Sequence, residues 1–565
     1  MDRRTIIALV LVAVVIVLTP RLFPGRPRLQ PPAPIDTTSS RSPSADTGTE
    51  AKLRAGEPMR LEAVPGAGLP DTTAAASRAR ADSIVLGNSI AAYHFSSVGA
   101  SLEGVELRGF KALRPGGGGL WMRSTKEPLV RFRGVTANDT IPFDRVIFDV
   151  QSRSTDTKDL HVSFRGGIGT DSLTLRYNVV PDSFVVHIAG TLTGRLSQAG
   201  NGFLLLQLPP TLQSFEADSV DDQRHLALAF MPIRDDAKGI PFGKLDPGER
   251  RIAPGPHQWV ALKNKYFVLG ALAREKDSVI AEFSATGLAR TSRIATRVQG
   301  IAVLRPTNGQ FAIDLYTGPQ QWKRLHSLGR GFENSNPYGG FLQPVVQPFA
   351  RIVLQVLLWM HETLSMSYGW VLVVFGVVVR LVLWPLNQSA MRSSLKMQRI
   401  QPELNDLQKR YKNDPQKLQS EMMRVYKEHG MSPFSMFSGC LPLLLPMPVL
   451  FALFFVFQNT IEFRGVSFLW LHDISQKDPF YLLPIAMGIS MFVLTWIGSR
   501  NAPPNPQTKT MGYVFPVMMT FLLANLAAGL NLYYAVQNLA ALPQQWLIAN
   551  ERARAGIGKT SPPKK

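Results

Sequence analysis

Hydrophobic positions change rhythm several times along this chain. From Thr5 to Thr19 they run almost unbroken, TIIALVLVAVVIVLT, directly behind Arg3 and Arg4. A basic pair ahead of an apolar run is the pattern of a signal peptide or a signal anchor. The following PRLFPGRPR offers no small-x-small cleavage site, so 1–22 is expected to be an uncleaved transmembrane anchor. From 23 to 80 the composition is Pro, Ser, Thr, Asp and Ala without apolar periodicity. Such a stretch cannot bury enough surface to offset chain entropy and reads as a disordered tether.

From 81 to 336 short segments alternate apolar and polar residues. SLTLRYNVV (Ser172 to Val180) and SFVVHIAG (Ser183 to Gly190) flank Pro181 and Asp182, which together predict a β-hairpin. VIFDV, HVSFR, FLLLQL, WVALKNKYFVLGALA, VIAEFSA and FAIDLYTG extend the series at turn-punctuated intervals. The expected fold is an all-β sandwich.

Past Tyr338 the period becomes helical. The stretch 337–367 mixes apolar positions with Gln, Arg, His and Glu and reads as an amphipathic helix lying at a membrane interface. Five nearly uncharged segments follow, at Tyr368–Leu386, Cys440–Gln458, Phe480–Gly498, Gly512–Leu526 and Leu530–Leu547. Each is close to the ~20 residues that cross a bilayer as a helix. With the anchor they predict six spans, five of them in a core at 368–550. Only Ala527 to Gly529 separates the last two, which predicts a tight helical hairpin.

Charge adds an orientation. The chain carries 61 Lys and Arg against 41 Asp and Glu, a net charge of +20 over 565 residues. That balance suits anionic surfaces, membrane or nucleic acid. Asn387 to Gly430 holds nine basic and five acidic residues, whereas Asn459 to Pro479 holds two basic and three acidic. The basic loops share a side with Arg3 and Arg4, so both termini are expected inside and the β domain outside. The 551–565 tail is basic too. Cys440 is the only cysteine, which excludes an intrachain disulfide and a cysteine-based metal site.

Within the spans one residue stands apart. From Trp370 to Leu386 every residue is apolar, Gly or Pro except Arg380. A guanidinium stays protonated, and placing it in hydrocarbon costs about 2.5–3.5 kcal/mol even on a lenient scale. It lies seven residues before Asn387, roughly 10 Å along a helix, so its side chain can snorkel to the cytoplasmic headgroups. The alternative is a water-filled cavity between helices, the usual setting of a functional charge. Among the other polar residues in or flanking the spans, Gln458, Asn459, Asn525, Asn531, Gln537 and Asn538 are each a candidate for interhelical hydrogen bonding.

The cytoplasmic loop 387–430 divides around Asn413, Asp414 and Pro415 into two amphipathic stretches. Leu395, Ile400, Leu404, Leu407 and Tyr411 line one, and Leu418, Met422, Val425 and Tyr426 the other. Such a hairpin is either a solvated coiled pair or a basic, Met-rich contact surface. Lys396, Arg399, Lys409, Arg410 and Lys427 are the charges it would offer to anionic phospholipids, ribosomal RNA or a nascent chain.

Other motifs carry no chemistry. ARAGIGKT, Ala553 to Thr560, has the spacing of a relaxed phosphate loop, but a span precedes it and only SPPKK follows, leaving no helix to hold a phosphate. His361-Glu362 and His472-Asp473 lack ligand partners at metal-binding spacing, and no nucleophile–base pair is visible. No cofactor is expected.

The membrane half resembles the YidC family of membrane protein insertases. VVRLVLWPLNQSAMRSSLKMQRIQPEL is similar to the family's arginine span and first cytoplasmic helix, SEMMRVYKEHGMSPFSMFSGCLPLLLPMPVLFALFF to its second helix and third span, DPFYLLPIAMG to the start of the fourth, and LNLYYAVQNL to the last. HQWVALKNKYF carries a weaker likeness in the β domain. The resemblance implies a non-enzymatic insertase and chaperone of the bacterial inner membrane, with a periplasmic β-sandwich. It implies a hydrophilic groove, open to cytoplasm and lipid, in which Arg380 attracts acidic residues of a substrate's translocating tail. Tyr533 and Tyr534 match positions that face the substrate. Implied partners are nascent inner-membrane proteins, the Sec translocon and the ribosome, and a monomer suffices. Gly376 and Pro446 depart from the family pattern, which has a polar residue one turn before the arginine and a Gln in the third span. The rival reading, a secondary transporter of an anionic solute, predicts internal repeats and paired broken helices, and no repeat is found.

Overall fold

The computed structural model describes residues 82–554, apart from 138, 199–201, 275–279, 289–296, 337–342, 430–446 and 501–505. Within helices it describes backbone alone at 343–345, 390–399, 401–402, 447–448, 458–459 and 506–511. The expected anchor, the tether, Cys440, Pro446 and the tail beyond Arg554 lie outside the described residues. Those described fall into two compact units, one holding 400–429 and the other 82–399 with 448–554.

The larger unit begins with two antiparallel sheets. The first joins β1 (Ser83–Gly87), β2 (Ala91–Ser96), β3 (Ser101–Lys111) and β4 (Gly119–Arg123) in sequence order. The second contains β5 (Arg131–Thr136), β6 (Thr140–Ile141), β7 (Asp149–Asp156), β8 (Asp159–Ile168), β9 (Asp171–Val179), β10 (Val185–Thr193) and β11 (Gly202–Gln207). It continues with β12 (Ala227–Pro232), β13 (Lys238–Pro241), β14 (Arg250–Lys263), β15 (Phe267–Ala273), β16 (Ile280–Gly287), β17 (Val298–Leu304) and β18 (Gln310–Pro319). Its order is β6-β5-β11-β17-β16-β14-β15-β18-β10-β9-β8-β7, with β12 and β13 attached through β14.

The hairpin expected around Pro181 is β9–β10, paired from Val179↔Val186 to Ser172↔Thr193. In β9 the buried positions Leu173, Leu175, Tyr177 and Val179 alternate with more exposed ones, as a half-buried pleat requires. The two sheets share one core. Phe95 of β2 and Tyr177 of β9 lie 4.8 Å apart between ring centres, and the Tyr177 hydroxyl donates to the Ala100 carbonyl at 2.6 Å. Every residue of β15 is buried, and Gly270 is where Phe332 packs directly on the strand, in space a Cβ would fill.

Helices α1 (Ser219–Arg224) and α2 (Trp322–Ser327) are short. The longer ones are α3 (Gln343–Leu364), α4 (Tyr368–Val382), α5 (Trp384–Arg410), α6 (Pro415–Glu428), α7 (Met447–Asn459), α8 (Leu482–Ser499), α9 (Pro506–Leu523) and α10 (Ala528–Arg554). The expected interfacial helix is α3, and it meets α4 at a bend of 117°. Ala350, Val353, Leu354, Leu357 and Leu358 form its buried stripe, while Ile352, Val356 and Trp359 stay exposed.

Six crossings are more than the helices themselves establish. Among the described residues one helix, Leu482–Ser499, is long and apolar enough to cross a bilayer, α3 and α4 qualify only as a bent pair, and Gly512–Leu523 is shorter. The reason is chemical: α10 has the length but carries Asn531, Gln537 and Gln544, all buried. The expected hairpin of the last two spans has its short turn, but its two helices do not pack chiefly on each other: α10 packs mainly on α8 and α4, and α9 on α8.

In the smaller unit, α6 starts where the sequence requires. Asp414 caps it, accepting from the Lys417 amide at 3.0 Å, with Pro415 in the first turn. Such a cap satisfies a donor that the helix itself leaves unpaired. Ile400, Leu404, Leu407, Val425 and Tyr426 are buried, and Glu403 lies 3.9 Å from His429.

Candidate functional site

Helix α4 has two faces. Tyr368, Val371, Leu372, Phe375, Gly376 and Arg380 are buried, the stripe made by residues three and four apart. Trp370, Val377, Val378, Leu381 and Val382 are exposed. The charged residue therefore sits on the inner face and the apolar ones face out. That inversion of a water-soluble helix suits a lipid environment. Exposed Ile485, Ile489, Phe492, Val514, Val517 and Phe521 extend the apolar surface over α8 and α9.

Arg380 is 7% exposed, and its Nη2 donates to Oε1 of Gln544 at 2.8 Å. Gln544 is fully buried and donates its own amide to the Trp384 carbonyl at 3.0 Å and to Oε1 of Gln388 at 3.2 Å. Arg380 Nε is buried without a hydrogen-bond partner, and no described carboxylate pairs with the guanidinium. The guanidinium is thus turned into the helix pack and keeps donor capacity for an anion.

Pro385 explains why this cluster forms where it does. It has no N–H to give the Leu381 carbonyl, and the helix breaks at Leu383 before resuming as α5. The carbonyl of Trp384, next to that break, is the one that Gln544 reaches.

Other expected site residues fall at several places. Tyr533 is fully buried with its hydroxyl unpartnered, and its ring lies 5.9 Å from that of Phe375. Tyr534 is half-buried beside it, at 6.0 Å. A Cβ on Gly376 would lie 3.2 Å from Val536 Cγ1 and 3.5 Å from Tyr533 Cδ2, so the departure at this position coincides with a close approach of α4 to α10. Gln537 is buried with Nε2 unpartnered. Asn538 turns toward α8 and donates to Ser490 Oγ at 3.1 Å. Asn531 reaches back to the Leu523 carbonyl at 3.0 Å and ties the turn between α9 and α10. Asn525 is exposed in that turn and is not brought to the arginine. The Gln458 side chain lies outside the described residues, as do those of Lys396 and Arg399. Lys409, Arg410 and Lys427, on α5 and α6, are exposed.

Gln544, Gln388 and Arg552 are residues that sequence reading passed over. Gln537, Gln544 and Arg552 repeat at seven and eight residues along α10, the spacing of one helix face, and that was the available signal. Arg552 donates to the carbonyls of Gly498 and, at 3.2 Å, Arg500, closing the C-terminal end of α8 with a cation as the helix dipole favours.

A β domain joined to helices with an apolar outer surface and an interior cation defines a helical membrane protein with a large extramembrane domain. Comparison with known proteins narrows the class. The family description "60Kd inner membrane protein" matches residues 359–555, and "YidC periplasmic domain" matches residues 84–352. A protein of Chlorobaculum tepidum named membrane protein insertase YidC is 30% identical over 545 residues, covering 86% of this chain and 87% of its own. One of the same name from Chlorobium limicola is 27% identical, covering 99% and 97%. A crystal structure described as an active YidC insertase with the first transmembrane domain resolved aligns over 82% of this chain and 92% of its own, at 17% identity and a TM-score of 0.33. The chain belongs to the YidC family.

Proposed function

We propose that this chain is a membrane protein insertase and chaperone of the bacterial inner membrane, whose substrates are nascent membrane proteins. It is not an enzyme. The observation that carries the mechanism is Arg380: buried on the inner face of α4, held by a neutral amide, with no described acid beside it. A fixed cation lowers the cost of bringing a carboxylate into a poorly solvated place. An unpaired buried charge is itself costly, so the proposed site is a hydrated groove open to cytoplasm and lipid. There Arg380 draws in the acidic residues of a substrate's translocating tail. Tyr533, Tyr534, Gln537 and Asn538 of α10, with Gln458 and Asn531, belong to the lining or its supports. Burial of the substrate's apolar helix, worth about 25 cal/mol per Å², drives release into lipid without nucleotide.

The topology proposed with this reading has six spans, the anchor included, with both termini cytoplasmic and the β domain periplasmic. The hairpin's Lys396, Arg399, Lys409, Arg410 and Lys427 meet anionic phospholipids or the ribosome, and the chain works as a monomer, alone or beside the Sec translocon.

The test is insertion of a single-span protein with an acidic N-terminal tail into liposomes, scored by protease protection of the tail. Wild type should insert it above empty liposomes without nucleotide. Arg380→Glu should impair acidic tails more than Arg380→Lys. Equal activity of the two variants removes the electrostatic role, and no insertion by wild type removes the reading and returns the anionic-solute transporter.

A further inference from the structure

Among the described residues, Gln544 is the side chain that joins the arginine to the break between α4 and α5. Its orientation is fixed by chemistry. The Trp384 carbonyl can only accept, so the Gln544 nitrogen must face it, 3.0 Å away, and the amide oxygen is left for Arg380. Gln388 Oε1 accepts from the same nitrogen at 3.2 Å. Gln544 has no exposed surface, and its side-chain hydrogen bonds among the described residues all go to one stretch, residues 380–388.

We infer that Gln544 is the positioning residue of Arg380: it holds the guanidinium by Nη2 on the inner face and leaves its charge uncompensated. Nε has no partner in the structure, and Gln544 accepts from Nη2 alone among the guanidinium's nitrogens. A guanidinium has five N–H donors, and those that Gln544 does not take are left for the substrate's carboxylate. Neutrality is the essential property. A carboxylate at 544 would reach the same Nη2 and become an internal counter-ion, so the incoming acid would compete with a resident one.

The inference rests on the insertase reading, and the experiment separates the two. Gln544→Glu, Gln544→Leu and wild type are compared in liposomes with two substrates that differ only in an acidic or a neutral translocating tail. The ratio of acidic-tail to neutral-tail insertion should fall at least tenfold in Gln544→Glu, because the charge is quenched, and less in Gln544→Leu, where it persists without its holder. A merely structural role lowers both tails together, leaves the ratio where it was, and overturns the inference. A second measurement does not depend on insertion. The Tm losses of Arg380→Gln and Gln544→Leu should be clearly non-additive in the double variant, as for residues in direct contact. Additive losses overturn the inference even if the insertase reading stands. Failure of wild type to insert either tail, with non-additive Tm losses, overturns the insertase reading and leaves the positioning of Arg380 supported.

Discussion

Arg464 and Glu216 stand 248 residues apart in sequence and meet as a buried pair, Nε of the arginine 2.9 Å from each carboxylate oxygen. Their side chains are 5% and 3% exposed. Arg464 follows α7 and Glu216 belongs to the β domain, so the pair fastens the loop after α7 to that domain. Arg464 Nη2 also donates to the Lys111 carbonyl at 2.9 Å, and Tyr266 of the HQWVALKNKYF stretch donates to Ser475 Oγ at 3.0 Å. Ile461 from the same loop is buried in the β-domain core.

Removing one member of such a pair strands the other. Arg464→Gln or Glu216→Gln should each destabilise the protein by about 3–5 kcal/mol. Thermal unfolding in detergent micelles measures it. Replacing both with apolar residues of similar volume should recover most of the loss. A double variant as unstable as the singles would show that the pair is not the source.

Two residues before Arg464, burial raises the Glu462 carboxyl to about 7, its Oε2 enclosed without a partner. The folded state therefore binds this proton more tightly than the unfolded chain. Its contribution to stability is complete below the usual glutamate range, is lost as pH rises from about 4.5 to about 7, and is flat above. Glu462→Gln should abolish that slope and raise Tm at pH 8, by an amount equivalent to roughly 1–3 kcal/mol. Melting curves from pH 5 to 8 decide the matter, and parallel curves for the two proteins would refute it.

Two glycines of α4 should respond differently. A Cβ on Gly369 would overlap the Phe468 ring, whereas one on Gly376 meets Val536 Cγ1 at 3.2 Å. Gly369→Ala should cost about 1–3 kcal/mol, the range for overpacking, and Gly376→Ala less. Equal Tm changes in the two variants would contradict the packing described for α4.

The Asn538–Ser490 hydrogen bond joins α10 to α8 at 3.1 Å. A double-mutant cycle with alanine at both positions should return a coupling near 0.6 kcal/mol, the average for such bonds between membrane helices. A coupling indistinguishable from zero would mean that the two side chains do not bond in the membrane.

How far the sequence can be read depends on the range of the interaction. The β9–β10 hairpin was legible because alternation and a Pro-Asp turn act within one short stretch, Ser172 to Thr193. The start of α6 was legible because Asp414 and Pro415 act within one turn. Arg380 was conspicuous because a charge in an apolar run contradicts its surroundings. Asn531 and Asn538 were visible as polar residues, but not that one would tie a turn and the other a neighbouring helix. Asn525, by the same criterion equally promising, is exposed.

The sequence by itself determined the strands, the apolar helices and the single charge among them, since each follows from local periodicity and the cost of placing a charge in hydrocarbon. Tertiary structure alone decided which way Arg380 turns, that Gln544 holds it across 164 residues of sequence, and that Arg464 is matched by Glu216. A hydrogen bond or ion pair needs its partners within about 3 Å, and only the packing of distant segments brings these side chains that close.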